Sequence, residues 1–248
     1  MSFQNPNQRP GYGQGQNPFG GQGYPNQPGY RPMPRGMRGP GRRPASRRGG
    51  WRTGLSYATG FVILIWAVHI VNGVLFGGQL IVFGIHPLDL SSIWGIFTSP
   101  LLHADFSHLM SNTLPGAIFA FLIGHSGPRV FWEVTAIVVI VGGIGVWLFG
   151  GIGTNHIGAS GLVYGWLTYL LIRGFFNRSL AEIGLGVTLG FIYSGLIFGL
   201  LPGTPGLSWQ AHLFGAVGGV LAGMFITSDD PPHLVAYRSA KKDVRNGR

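Results

Sequence analysis

From residue 55 onward the chain is written in long apolar runs, broken by short polar or glycine-rich punctuation. Six runs stand out, at about 55–76, 108–124, 130–149, 160–176, 183–201 and 211–227. As helices rising about 1.5 Å per residue, runs of this size cross a hydrocarbon layer about 30 Å thick. The pattern predicts an all-α polytopic membrane protein with six transmembrane helices. Between the first two runs lies 77–107, which holds the apolar pieces Leu80-Ile81-Val82-Phe83 and Ile93-Trp94-Gly95-Ile96-Phe97. It is too apolar for an ordinary loop and too interrupted to span, so it is expected to lie half-embedded in the interface.

Composition changes the picture at the ends. Residues 1–50 are Gly, Pro, Gln, Asn, Arg and Tyr with almost no aliphatic residue. Such a stretch buries too little apolar surface to offset its ordering entropy, and disorder is expected. No short apolar run with a cleavage site lies near Met1, so it does not read as a signal peptide. Three parts follow: a disordered basic tail over 1–53, a membrane domain over 54–227 and a basic tail over 228–248. With no cysteine in the chain, disulfides and thiolate metal sites are excluded.

Charge sets the orientation. Of 17 Lys and Arg, nine arginines lie in 1–52 and five Lys or Arg in 229–248, leaving Arg129, Arg173 and Arg178 between. If both termini are cytoplasmic, all 17 fall inside, and the outer segments 77–107, 150–159 and 202–210 hold none. The formal net charge of +10 could serve RNA or anionic lipid. Cationic flanks on a membrane core account for it more simply, and no specific nucleic-acid partner is expected.

That topology gathers a set of polar residues. The second, fourth and sixth runs all pass from outside inward, so His108, Asn112, Ser160 and His212 share the outer leaflet. Ser160 is only 13 residues from Arg173, about 20 Å of helix, which places the serine below the outer surface. A serine becomes a nucleophile with a base within about 3 Å. Small residues allow that approach: Gly161 and Gly165 on one helix face Ala211, Gly215, Gly219 and Gly223 on the other. Glu133 and Glu182 fall on the cytoplasmic side and Asp89 and Asp105 in the outer insert, so a Ser–His dyad without a carboxylate is read. Tyr164, one turn below Ser160, is a candidate to stack on the imidazole. The Ser160 N–H at a helix start, with His108 and Asn112 four apart on one face, are candidate oxyanion donors.

His108-x-x-x-Asn112, Gly158-Ala159-Ser160-Gly161 and Ala211-His212-x-x-Gly215-x-x-x-Gly219 together resemble the rhomboid intramembrane serine proteases. The resemblance covers about 55–227 and implies a six-helix rhomboid-type bundle with nucleophile Ser160 and general base His212. It implies oxyanion support from His108, Asn112 and the Ser160 backbone, and matches Tyr164 to the family's histidine-stacking tyrosine. His103 matches a histidine that helps order the first outer loop. Many members carry a Trp-Arg pair in that loop, where this chain has Trp94-Gly95. No cofactor or metal is called for. The expected partners are single-span transmembrane substrates and the lipid bilayer. The expected location is a bacterial inner membrane, with the site opening to the outer face.

Two other classes bear on the same residues. A transporter or channel would line a path with ionisable groups, which the runs almost lack. A metal enzyme would draw on His103, His108, His156 and His212, but no His-Glu-x-x-His pattern or carboxylate accompanies them. An inactive, membrane-protein-binding relative would not need the intact Ser, His and Asn set.

Overall fold

The computed structural model describes residues 49–203 and 206–226. The tails expected over 1–53 and 228–248 fall outside these, save for 49–53, where the first helix begins. Helix α1 (Trp51–Phe76) starts a few residues ahead of its apolar run. It stops at Gly77, whose φ of +58 is a left-handed C-cap. Asn72, buried near that end, accepts from the Gly78 N–H through its carbonyl and from the Leu80 N–H through its side chain, each at 2.9 Å.

The insert that follows is a chain of tight turns: 3₁₀ pieces at Gln79–Phe83, Leu90–Ser92 and Ser99–Leu101, and a single α turn, α2 (Gly95–Thr98). It is tied to the rest through main chain. Ile85 and His156 exchange both backbone hydrogen bonds, at 3.0 and 2.9 Å, and the Leu88 N–H donates to the Trp147 carbonyl at 2.9 Å. The Trp147 indole returns the tie by donating to the Asp89 carbonyl at 3.0 Å. At the Trp94-Gly95 pair, Trp94 is exposed, and a Cβ on Gly95 would strike the Gly84 carbonyl and the Ile85 backbone. Close backbone contact thus leaves no room for a side chain at position 95.

Helix α3 (Phe106–His125) is capped by the Asp105 side chain, which accepts from the His108 N–H at 2.8 Å. Gly116 and Gly124 admit Phe61 and Tyr57 of α1. Helix α4 (Pro128–Phe149) opens with proline at its first turn, and α5 (Ser160–Asn177) ends in Arg178 at a φ of +53. Helix α6 (Leu180–Ile192) is capped by Ser179. The apolar run at 183–201 is not one straight element: α6 gives way to a 3₁₀ stretch, Ser194–Leu200, bent from it by 68°. Two carbonyls of that stretch, Leu196 and Gly199, leave the helical ladder and accept from side chains of other helices. Helix α7 (Trp209–Phe225) is capped by Ser208, which accepts from the Ala211 N–H at 3.2 Å.

Helix α5 is the centre of the bundle. Trp166, Tyr169 and Leu170 are wholly buried, and its most extensive partner is α7, with α4, α6 and α3 around them. Among the described residues there is no strand. Three helices, α1, α3 and α4, are long and apolar enough to cross a membrane, and α6 with its bent continuation makes a fourth candidate. Helix α7, at 17 residues, is shorter than these, and the 18 residues of α5 include Thr168, Arg173 and Asn177, which lower its hydropathy. The chain is an integral, mostly helical membrane protein.

Candidate active site

The mouth of α5 is shaped before its first residue. Gly158 has φ +115, a conformation that suits glycine, and the His108 ring lies so near its α-carbon that a Cβ would strike the imidazole. Its N–H donates to the Ser99 carbonyl at 2.9 Å, and the Ala159 N–H donates to His103 Nε2 at 3.4 Å. The insert and two histidines therefore hold the strand of chain that delivers Ser160. Ser160 is half-buried at the first position of α5, where a backbone N–H has no helical acceptor. Among the described residues its hydroxyl makes no hydrogen bond.

His212 sits in the first turn of α7 and is buried. Its ring is held in two ways. Tyr164 stacks on its face, with centroids 4.1 Å apart and planes 8° from parallel. Nδ1 lies 2.8 Å from the Gly199 carbonyl. A carbonyl only accepts, so Nδ1 carries the proton and Nε2 is the basic nitrogen. Tyr164 is fixed in turn by donating its hydroxyl to the Leu196 carbonyl at 2.6 Å. The Ser194–Leu200 stretch thus supplies both anchors, and a Cβ at Gly199 would meet the Tyr164 hydroxyl and His212 Nδ1.

The two helix mouths are drawn together by backbone approach. A Cβ on Gly161 would stand 2.9 Å from the Ala211 carbonyl, and one on Gly215 would collide with the Gly161 carbonyl. Gly219 meets the Gly165 carbonyl in the same way one turn deeper. Ser160 and His212 adjoin Gly161 and Ala211, the pair that meets nearest the helix mouths. The structure does not place a hydrogen bond between Ser160 and His212.

On α3, His108 is half-buried beside Gly158, while Asn112 is buried and donates Nδ2 to the His108 carbonyl at 2.9 Å. One amide N–H of Asn112 is therefore directed along its own helix. His103 packs edge-on to His108, centroids 5.1 Å apart, and its Nδ1 is buried without a partner. Burial, with the His108 ring adding to it, pushes its pKa down to about 4, so it is neutral. His156 is buried apart from this set and bonded to Ser208, Thr154 and the Gly150 carbonyl. Among the described residues no group of three or more His, Cys, Asp or Glu is arranged to hold a metal ion.

Sequence reasoning missed Gly199 and Leu196 because both act through main-chain carbonyls, which every residue has. It also gave His156 no role beyond a possible ligand. No pattern in the sequence marks the bond it makes across 52 residues.

A family model described as the Rhomboid domain matches residues 90–229, more than half of the chain. The chain is 39% identical over 210 residues to Uncharacterized protein Rv1337 of Mycobacterium tuberculosis, covering 82% of this chain and 86% of that one. It is 38% identical over 193 residues to Uncharacterized protein ML1171 of Mycobacterium leprae, covering 75% and 76%. A match of 29% over 130 residues, 52% of this chain and 64% of the other, links it to a Bacillus subtilis protein named "Putative rhomboid protease YdcA".

Proposed function

Because the chain belongs to the rhomboid family, we propose that it is an intramembrane serine endopeptidase that cuts single-span membrane proteins near the outer leaflet. The observation that carries this reading is the way His212 is held. A stacked tyrosine and a carbonyl on Nδ1 fix one tautomer and leave Nε2 as a base, beside a serine at the start of the neighbouring helix. A histidine that served packing alone would need neither a fixed tautomer nor a serine at that position.

In this reading Ser160 Oγ attacks the scissile carbonyl carbon and its proton passes to His212 Nε2. The Gly199 carbonyl then faces an imidazolium, and its dipole steadies the charge a carboxylate would otherwise meet. The oxyanion forms against the Ser160 N–H, the remaining Asn112 N–H and the His108 ring. Collapse expels the amine with the proton from His212, and water releases the acyl group through the same base. The substrate helix must unwind locally, since a helical carbonyl is already hydrogen-bonded. No cofactor enters. The six-span bundle, cytoplasmic termini, outward-opening site and bacterial inner-membrane location all belong to this reading, supported by the basic-residue asymmetry.

Fluorophosphonate treatment of the intact protein, followed by mapping of the adduct, tests it. Label on Ser160, lost in Ser160→Ala and His212→Ala together with cleavage of a transmembrane substrate, is the expected result. Cleavage that survives Ser160→Ala overturns it.

A further inference from the structure

Below the candidate dyad, α5 and α7 are closed by glycine contacts; above it, a pair of side chains joins the chain entering α5 to the cap of α7. His156 Nδ1 lies 2.6 Å from Ser208 Oγ. His156 stands four residues before Ser160 on the chain that leads into α5. Ser208 is the cap of α7, and its carbonyl accepts from the His212 N–H at 3.2 Å, one turn on. The imidazole is buried, and both its nitrogens are engaged: Nε2 meets the Gly150 carbonyl at 3.0 Å and Thr154 Oγ1 at 2.7 Å.

The donors and acceptors along this line are mutually consistent. Nε2–H donates to the Gly150 carbonyl, Nδ1 accepts from the Ser208 hydroxyl, and Ser208 Oγ accepts from the Ala211 N–H. The His156 backbone adds a two-way bridge to Ile85 in the insert. One residue thus joins the end of α4, the outer insert, the entry to α5 and the first turn of α7. Burial lowers the His156 pKa, which keeps the ring in the neutral form this arrangement requires.

At the dyad itself Gly161 approaches the Ala211 carbonyl, and above that contact the chain entering α5 reaches α7 through His156. The other glycine contacts lie deeper, at Gly161–Gly215 and Gly165–Gly219, and the bonds from Gly158 and Ala159 run to the insert and His103, not to α7. From α7's first turn, Gln210 reaches only the Gly150 carbonyl, at 3.3 Å. We infer that His156, through its hydrogen bond to Ser208, is a positioning residue that sets the gap between Ser160 and His212. This rests on the serine-protease reading above, and it adds to the site a histidine that touches no reacting atom.

The test uses the full-length protein in detergent or liposomes with one transmembrane substrate, and expresses turnover per fluorophosphonate-labelled Ser160. In His156→Ala the gap is released, and a shift of about 1 Å costs on the order of 100-fold in rate. The expected result is a kcat per labelled site reduced by about that factor, with KM unchanged. His156→Asn sets an amide near the place of Nδ1 and recovers most of the loss. His156→Gln, whose amide reaches instead toward the place of Nε2, does not. The double variant His156→Ala/Ser208→Ala is no slower than the slower single one, because both remove the same link.

A purely structural role would lower melting temperature and the labelled fraction while leaving kcat per labelled site intact. That result, additive losses in the double variant, or equal behaviour of His156→Asn and His156→Gln would overturn the inference. If His156→Ala does not fold, the Asn and Gln pair decides. Wild-type protein that never labels at Ser160 overturns the protease reading and this one with it. A labelled wild type with unimpaired His156 variants overturns this one alone.

Discussion

The amide of Asn112 has two N–H groups, and one of them donates to the His108 carbonyl. That bond aims the side chain and leaves a second N–H for a developing oxyanion. Asn112→Ala is expected to lower turnover by about 10²–10³ with little change in apparent substrate affinity, as measured by steady-state kinetics on a transmembrane substrate. A collapse in affinity at normal turnover would make Asn112 a substrate-binding group instead. His103 has a different consequence. Its folded pKa of about 4 lies below the ordinary imidazole value near 6.5, so as pH falls the unfolded chain takes up a proton first. The stability this neutral ring contributes is complete above about pH 6.5 and is lost as pH falls toward about 4. Thermal melts in detergent are expected to show a decline across that window that is shallower in His103→Asn. At this scale Ser160, His212, Tyr164, His108 and Asn112 stand out as candidates by residue type and spacing. The carbonyls of Gly199 and Leu196 were not, since a backbone acceptor leaves no trace in the identity of its residue.

Helices α5 and α7 meet where glycine carbonyls touch glycine α-carbons, so the pair tolerates no added carbon. Gly215→Ala places a Cβ against the Gly161 carbonyl, and the helices must part. Cleavage is expected to fall on the order of 100-fold for a displacement near 1 Å, with a lower melting temperature. Unchanged activity and melting would mean the stripe does not govern the site. The insert allows a less obvious test. Gly95→Arg restores the family's Trp-Arg pair in sequence, yet its Cβ would meet Gly84 and Ile85 backbone. The substitution is expected to destabilise the protein and lower activity, which melting and cleavage assays would report. Element existence was legible because apolar runs of these lengths leave few alternatives. The break in 183–201 was not. It stems from Leu196 and Gly199 turning their carbonyls toward Tyr164 and His212, a demand made by distant helices on a locally helical sequence.

The molecule as a whole separates two kinds of polarity. The candidate site lies at the α5 and α7 N-termini. The other end of α5 holds buried Arg173, which donates to Ser126 Oγ at 2.9 Å and pairs with Glu182 at 2.5 Å. Both termini are expected on the side of Arg129, Arg173 and Arg178, and reporter fusions at residues 1 and 248 check it. Reporters on opposite faces would dismantle the shared-leaflet arrangement of Ser160 and His212. The hydrogen-bond acceptor behind His212 has one more consequence, and it concerns inheritance. An acidic residue in that place can be lost by a single base change to an amide, with the fold left standing. The Gly199 acceptor belongs to the peptide bond, and every codon at that position encodes it. Mutation can reach it only through bulk, because any side chain larger than hydrogen would press on Tyr164 and His212. Selection at position 199 therefore acts on size and not on charge. A lineage of this protein that lost activity would be expected to lose Ser160 or His212 outright, rather than decay through a third partner.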